Sequence, residues 1–122
     1  MVMASADLQG KPQAATVEYV MDGNTLLINT FTYYRKYPNL LANPQVACVI
    51  TEAENKTLQF DAKIVLLEGD EAETVRQLMI KKKPQAANFF IDETTRFFRI
   101  SPTWMRLRDY TVKPLKVTEL TL

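Results

Sequence analysis

The stretch that decides the fold is Thr30–Val46, with the sequence TFTYYRKYPNLLANPQV. It begins as the end of an apolar strand, passes through several aromatic residues and presents the adjacent cations Arg35 and Lys36. Proline is tolerated in the first turn of a helix, whereas the residue before a proline is pushed out of the helical region. The stretch therefore predicts a short helix that begins at Pro38 and ends at Asn43.

Arg35 and Lys36 would lie at the N-terminus of this helix, close to hydroxyl side chains such as that of Thr32. Free backbone N–H groups and the positive end of the helix dipole favour an anion there. Arginine binds two phosphate oxygens at once and lysine adds a point charge. The pattern predicts a phosphate-binding corner. The alternative is a pair of solvated surface cations, since this spacing is less specific than a Walker-type loop.

Composition places the chain among globular proteins of one domain. Of its 122 residues, 47% are hydrophobic and 24% are charged, as is usual for a soluble fold. Fifteen basic residues against fourteen acidic ones give no attraction to nucleic acid or membrane. No apolar run reaches the roughly 20 residues of a membrane span, and the first residues lack the features of a signal peptide. We expect a cytoplasmic protein.

The side chains that most often carry catalysis are scarce. The sequence contains no histidine, and its single cysteine, Cys48, lies in the apolar run VACVI. A cysteine in such a run is expected to be a buried small hydrophobe. The composition excludes histidine-based triads and histidine-ligated zinc or haem, and no metal site is expected. Any chemistry must use a cofactor or the side chains of Asp, Glu, Lys, Arg and Tyr.

The rest of the chain reads mainly as antiparallel strands. Alternation and turn signals predict strands over 14–21, 25–30, 46–51, 58–66, 96–110 and 115–120, with a hairpin at Asp22-Gly23 and a break or bulge at Ser101-Pro102. Six or seven strands with two modest helices suggest a Greek-key-like closed barrel.

The clearest helix is predicted to open at Asp70, which has capping-box spacing to Glu73. An apolar stripe formed by Ala72, Val75, Leu78 and Met79 follows on one face. Lysines at positions 81–83 suit the C-terminal end of the helix dipole, and Pro84 ends the helix. One further helical turn is expected near residues 86–90.

The order of these segments resembles the pyridoxamine 5'-phosphate oxidase-like, FMN-binding split-barrel family. The resemblance rests on a Gly-Lys-Pro turn at 10–12, on TLLINT leading into RKYPNLLANPQVACVI, on LLEGDEAE and on RISPTWMRLRD. It extends from about Val2 over nearly the whole chain. It implies a mainly β, six-stranded antiparallel split barrel that forms a single flavin-binding domain over residues 1–122. It also implies a homodimer with FMN in a groove at the dimer interface.

The resemblance further implies roles for individual residues. Arg35 and Lys36 would hold the FMN phosphate, helped by Thr30 and Thr32. The isoalloxazine ring would be lined, mainly by backbone groups, by Ala15, Thr16, Val17, Glu18, Ile28 and Asn29. The second subunit would bring Trp104 and Arg106 toward the flavin, with Arg106 at a substrate-phosphate position.

Several positions depart from the pattern of the true oxidases. Tyr34 stands where family members often have Ser or Thr, which removes one hydroxyl from the phosphate site. Arg108 and Tyr110 replace a histidine and an arginine, and the apolar Ile64 replaces a glutamine near the flavin. The N-terminal helix and part of the first strand of longer relatives have no counterpart. These differences argue against authentic pyridoxamine 5'-phosphate oxidase activity but not against flavin.

The expected function is that of an FMN-dependent oxidoreductase acting on an unidentified small molecule or electron partner. A deazaflavin (F420)-dependent reductase is one alternative, although its anionic tail would need further cations. A non-enzymatic FMN carrier or electron-transfer protein is another. Haem handling is disfavoured because histidine is missing, and a dimeric interaction module without cofactor is the most distant reading.

Overall fold

The computed structural model describes all residues from Met1 to Leu122. Its strands are β1 (Val2–Ala6), β2 (Pro12–Thr16), β3 (Val20–Asp22), β4 (Thr25–Phe31), β5 (Gln45–Ile50), β6 (Lys56–Leu66), β7 (Thr95–Asp109) and β8 (Lys116–Thr121). The helices are α1 (Lys36–Ala42), α2 (Gly69–Lys82) and α3 (Ala87–Ile91), and a single 3₁₀ turn over Pro84–Ala86 precedes α3.

All eight strands belong to one antiparallel sheet in the order β2-β1-β5-β6-β7-β4-β3, with β8 also paired to β7. The 15-residue strand β7 pairs with β4 through its first half and with β8 through its second half. The prediction of a mainly β, antiparallel fold with short helices is confirmed. The prediction of a closed barrel is wrong, since β2 and β3 end the sheet and do not pair with each other.

The strand predicted over 14–21 is two strands, β2 and β3. Because β2 pairs with β1 at one end of the sheet and β3 pairs with β4 at the other, the chain must cross between them. Residues Val17–Tyr19 make this crossing, and the N–H of Val17 donates to the carbonyl of Met1 at 2.9 Å. This division and the unpredicted strand β1 raise the count to eight.

The predicted alternation along β6 is confirmed, with Phe60, Ala62 and Ile64 buried between exposed neighbours. The break expected near Pro102 is a β-bulge. Asp61 pairs with Trp104 while Ala62 pairs with Pro102, so one extra residue is accommodated in β7. A proline in a sheet is commonly placed at such a bulge because it has no N–H to donate.

The helix predicted to open at Asp70 forms as α2, but the predicted capping box does not form. The helix begins at Gly69, one residue earlier than expected, and its N-cap Glu68 makes no side-chain capping bond. Asp70 therefore lies inside the first turn, where its carbonyl accepts a hydrogen bond from the hydroxyl of Thr74 at 2.9 Å. The apolar stripe is confirmed through the buried Val75 and Met79. The end of the helix before Pro84 is also confirmed.

Two apolar clusters hold the sheet and helices together, and β4 contributes to both. Ile28 packs into an inner cluster that is built on Phe60, whereas its neighbour Leu27 packs into an outer cluster with Phe97 and Val75 of α2. Successive residues of a strand face opposite sides of the sheet, so β4 is buried on both faces. The end of this strand is therefore fixed, and the segment that follows it starts from a rigid support.

Candidate functional site

The candidate site begins where β4 ends. The N–H of Tyr34 donates to the carbonyl of Phe31 at 3.0 Å, and that of Tyr37 donates to Tyr34 at 3.1 Å. These two turns carry the chain directly into α1, which starts at Lys36 rather than at Pro38. Arg35 already has helical dihedrals, φ −54° and ψ −37°. The predicted end is confirmed, because Asn43 is extended.

Two adjacent grooves meet at this corner. The cationic groove has a volume of about 460 Å³ and is lined by Met3, Ser5, Gln13, Ala14, Ala15, Thr16, Tyr33, Tyr34, Arg35 and Lys36. The aromatic groove has a volume of about 410 Å³ and is lined by Thr16, Val17, Glu18, Asn29, Phe31, Tyr34, Lys36, Gln85, Ala86, Phe89 and Phe90. The two grooves share Thr16, Tyr34 and Lys36. Both volumes lie within the range of roughly 300–1,000 Å³ that is usual for small-molecule sites.

Arg35 and Lys36 have no anionic partner in the protein. The ion pairs of the chain engage other groups, namely the N-terminus, Arg76, Lys83, Arg99 and Arg106. Lys36 is half-buried, and burial lowers the pKa of its ammonium group. Its Nζ lies over the ring of Tyr34, 5.4 Å from the centroid. The junction of the two grooves therefore carries positive charge that no carboxylate neutralises.

Aromatic side chains form the wall between the two grooves. Phe31 and Tyr33 are stacked with centroids 5.5 Å apart and an interplanar angle of 16°. Tyr34 meets both of these rings edge-on, at 5.2 Å in each case. The Lys36 ammonium lies over the Tyr34 ring, so Tyr34 contributes to the junction through its ring face.

The structure brings seven of the twelve predicted site residues to the two grooves. These are Ala15, Thr16, Val17, Glu18, Asn29, Arg35 and Lys36. Thr16 and Lys36 contribute to both grooves, so the end of β2 and the start of α1 both lie at the junction.

Thr30, Ile28 and Thr32 line neither groove with their side chains. Ile28 packs in the inner apolar cluster and is fully buried. Thr30 is 1% exposed, and its Oγ1 is a buried side-chain oxygen without a hydrogen-bond partner. Thr32 is half-buried, and its N–H donates to the carbonyl of Thr94 at 3.0 Å. Their contacts with a cofactor stay predictions, those of Ile28 through its backbone.

Trp104 and Arg106 lie on the second half of β7 and line neither groove of the same chain. The Arg106 guanidinium contacts the Glu119 carboxylate on β8, at 2.5 Å through one terminal nitrogen and 2.6 Å through Nε. It also lies over the Trp104 ring, 5.1 Å from the centroid. The predicted contact of these two residues with a cofactor, from a second subunit, stays a prediction.

The sequence interpretation missed the contribution of α3 to the aromatic groove. The hydroxyl of Thr95 on β7 donates to the carbonyl of Phe89, and Nε of Arg76 on α2 donates to that of Phe90 at 3.0 Å. These bonds hold α3 against the end of β4, where the Phe89 ring meets Phe31 at 6.3 Å. The only signal in the sequence is the pair of adjacent phenylalanines in a segment without clear periodicity.

Two potential nucleophiles or acids outside the grooves, Cys48 and Tyr19, have raised pKa values. Burial raises the pKa of the Cys48 thiol to about 12, so this cysteine stays protonated. A hydrogen bond to the Glu52 carboxylate raises the pKa of Tyr19 to about 12 and lowers the pKa of Glu52. No group of three or more Cys, Asp or Glu side chains is placed to hold a metal ion. No helix is long and apolar enough to cross a membrane.

Comparison with known families decides the relationship. The family model described as "Pyridoxamine 5'-phosphate oxidase" matches residues 1–109. The chain belongs to this family. Family membership agrees with the antiparallel sheet, which is consistent with a split barrel. No curated protein sequence matches the chain.

Solved structures share the fold at low sequence identity. The haem storage protein HutZ from Vibrio cholerae is 23% identical, over 95% of this chain and 83% of that one, with a TM-score of 0.67. A pyridoxamine 5'-phosphate oxidase-related, FMN-binding protein from Nostoc punctiforme is 12% identical, over 99% and 85%, with a TM-score of 0.73. A haem-binding protein from Mycobacterium smegmatis is 18% identical, over 98% and 51%, with a TM-score of 0.78. At these identities the likeness concerns the fold alone.

Proposed function

We propose that this chain is an FMN-binding protein and acts as an FMN-dependent oxidoreductase on a small-molecule substrate or electron partner. The observation that carries the proposal is the adjacent pair Arg35 and Lys36, which has no carboxylate partner; Lys36 lines both grooves and Arg35 lines the cationic groove. The proposal takes residues 1–122 as one flavin-binding domain.

The charge of the junction fits a phosphate group. A half-buried ammonium loses solvation, and the loss is offset only when an anion and its hydrogen bonds replace water. Lys36 has no such anion within the protein. Burial without a compensating anion lowers the pKa of its ammonium group. A phosphate would supply the missing charge, with Arg35 binding two of its oxygens and Lys36 a third.

The aromatic groove fits a planar ring system next to that phosphate. Phe31 and Phe89 provide apolar ring surface, and Asn29 provides an amide that donates and accepts hydrogen bonds. The Glu18 carboxylate is compensated by Lys83, whose Nζ lies 3.1 Å away. Of the residues predicted to line the flavin ring, Thr16, Val17, Glu18 and Asn29 line the aromatic groove, whereas Ala15 lines the cationic groove and Ile28 lines neither.

FMN, when bound, supplies hydride or electron transfer. The chain itself would fix the phosphate, orient the ring against β2 and β4 and exclude water from one face with α3. Backbone N–H groups near the ring would stabilise negative charge on the reduced cofactor. We assign no acid or base, because the pKa of Cys48 and the pKa of Tyr19 are both raised to about 12.

A homodimer is part of the proposal. Trp104 and Arg106 line neither groove within one chain, so their predicted contact with the flavin needs a second copy. The stacked arrangement of Arg106 on Trp104 and its bonds to Glu119 already hold the pair in one conformation.

The replacement of two oxidase residues by Arg108 and Tyr110 is the reason that we do not propose pyridoxamine 5'-phosphate oxidase activity. The cytoplasmic location stays a prediction.

Haem is the competing ligand that the names of two similar structures raise. This chain has no histidine, and the raised pKa of Cys48 disfavours a thiolate ligand.

Deazaflavin F420 is the competing cofactor from the sequence interpretation. Its longer anionic tail would lie beyond Arg35 and Lys36, where the cationic groove offers no further cation.

The experiment that tests the proposal is an absorption spectrum of the purified protein, followed by flavin titrations of the cofactor-free protein. Riboflavin is the matched ligand, because it has the same ring as FMN and lacks the phosphate. We expect FMN to bind at least about 10² times more tightly, since the two charged contacts to the phosphate contribute roughly 1.5–3 kcal/mol each. Equal affinities would refute the phosphate assignment. A haem spectrum, or released deazaflavin, would replace FMN by that ligand.

A further inference from the structure

The cationic groove extends beyond the place where FMN would end. In the proposed site the phosphate lies at the junction, on Arg35 and Lys36, and the flavin ring lies in the aromatic groove. The phosphate is the terminal group of FMN, so this cofactor fills the junction and only one of the two flanks. The other flank, lined by Ser5, Gln13 and Tyr33 among others, remains open to a group attached on the far side of the phosphate.

The chemistry of this open flank is neutral. Ser5 and Gln13 offer hydroxyl and amide groups, and Arg35 and Lys36 at its inner end are its only charged residues. A tail that carries several further carboxylates would therefore find no additional cation here. A neutral ring with hydrogen-bonding edges would find both an amide and an aromatic surface.

Tyr33 provides that aromatic surface. One face of its ring is stacked on Phe31 at 5.5 Å, and the side chain is nevertheless 69% exposed. The Phe31 contact holds the ring in place at little cost in side-chain entropy on binding. The outer face is exposed in the single chain, where it can stack with another flat ring such as a nucleobase.

We propose that the site accepts a flavin dinucleotide, FAD, whose adenosine half lies in the outer part of the cationic groove. Arg35 and Lys36 would share the two phosphates of the pyrophosphate, one cation for each negative charge. Tyr33 would stack on the adenine, and the Gln13 amide, which both donates and accepts, would pair with its edge. This inference rests on the proposed function, since it takes the junction as the phosphate site.

The test is a comparison of FMN and FAD titrations, followed by flavin fluorescence, on the cofactor-free protein and two variants. We expect the parent protein to bind FAD at least as tightly as FMN. Tyr33→Ala should weaken FAD binding about tenfold, because stacking on a base contributes about 1–3 kcal/mol. The same variant should weaken FMN binding less than FAD binding, so the ratio of the two Kd values should change about tenfold. Tyr33→Phe keeps the ring and is the matched control, so it should retain the FAD affinity of the parent.

The outcomes separate this inference from the proposed function. FAD binding at least tenfold weaker than FMN binding would overturn the inference and leave the FMN proposal standing. FAD affinity that is unchanged in Tyr33→Ala would also overturn it, since the adenosine would then lie elsewhere. A loss of FAD affinity that accompanies a changed oligomeric state in size-exclusion chromatography would assign Tyr33 to assembly. Failure of both flavins to bind would refute the proposed function itself.

Discussion

Lys36→Met is the substitution that tests the site most directly. Methionine keeps an unbranched apolar side chain in the half-buried position and removes only the ammonium group. That group contacts no carboxylate, and burial already lowers its pKa. The loss of one charged contact to phosphate costs about 1.5–3 kcal/mol, so the Kd for FMN should rise about 10- to 150-fold. The free energy of unfolding of the cofactor-free protein should stay within about 0.5 kcal/mol of the parent value.

The assay is a pair of titrations, with FMN and with riboflavin, on the parent, on Lys36→Met and on Lys81→Met. Lys81 is an exposed lysine in the last turn of α2 and lines neither groove, so its variant should bind both ligands like the parent. For Lys36→Met, FMN binding should weaken while riboflavin binding stays constant. An FMN Kd within twofold of the parent value would refute the assignment. An equal loss for both ligands would show that the substitution distorts the groove rather than removing a phosphate contact.

Three further predictions concern pH, a buried hydroxyl and the core. FMN affinity should fall as pH rises through the lowered pKa of Lys36, by up to about tenfold per pH unit, because binding takes up a proton there. Without FMN, the free energy of unfolding should instead rise with pH over this range, because the folded state releases this proton at a lower pH than the unfolded state does. A high-pH decline that persists in Lys36→Met would contradict this. Thr30→Val should keep or raise the melting temperature, because the Thr30 hydroxyl is buried without a partner; a drop in FMN affinity would instead show that this hydroxyl reaches the cofactor. Phe60→Ala should destabilise the protein by about 3–5 kcal/mol in urea denaturation, since Phe60 is fully buried, and a loss below 1 kcal/mol would be inconsistent with the described inner cluster.

Local sequence rules determined most of the elements. The hairpin at Asp22-Gly23 forms because a turn residue with positive φ is needed there, and Gly23 has φ +60°. The alternation along β6 and the apolar stripe of α2 follow from the periods of strand and helix, which need no knowledge of the partner. The end of α1 at Asn43 follows from the proline after it. These features depend on neighbouring residues alone.

Local sequence patterns identified only part of the candidate site. Arg35 and Lys36 are adjacent in the chain, so a local pattern identified them. Phe89, more than fifty residues later, reaches the same site only because hydrogen bonds to Thr95 and Arg76 hold α3 against the end of β4. A pattern of residues carries no information about such a contact between distant segments.

Some features that local patterns alone do not describe correctly were decided by the tertiary structure. The apolar alternation over 14–21 is real, yet the chain must leave one end of the sheet and join the other, which divides it into β2 and β3. The resemblance predicts that Thr30 helps to hold the phosphate. The structure places its side chain in the interior, and its contact with a cofactor stays a prediction. The sequence by itself determined most of the strands, the helices and the pair of cations. Only the tertiary structure decided that two grooves meet at those cations, because a groove is formed by surfaces that the chain brings together from distant positions.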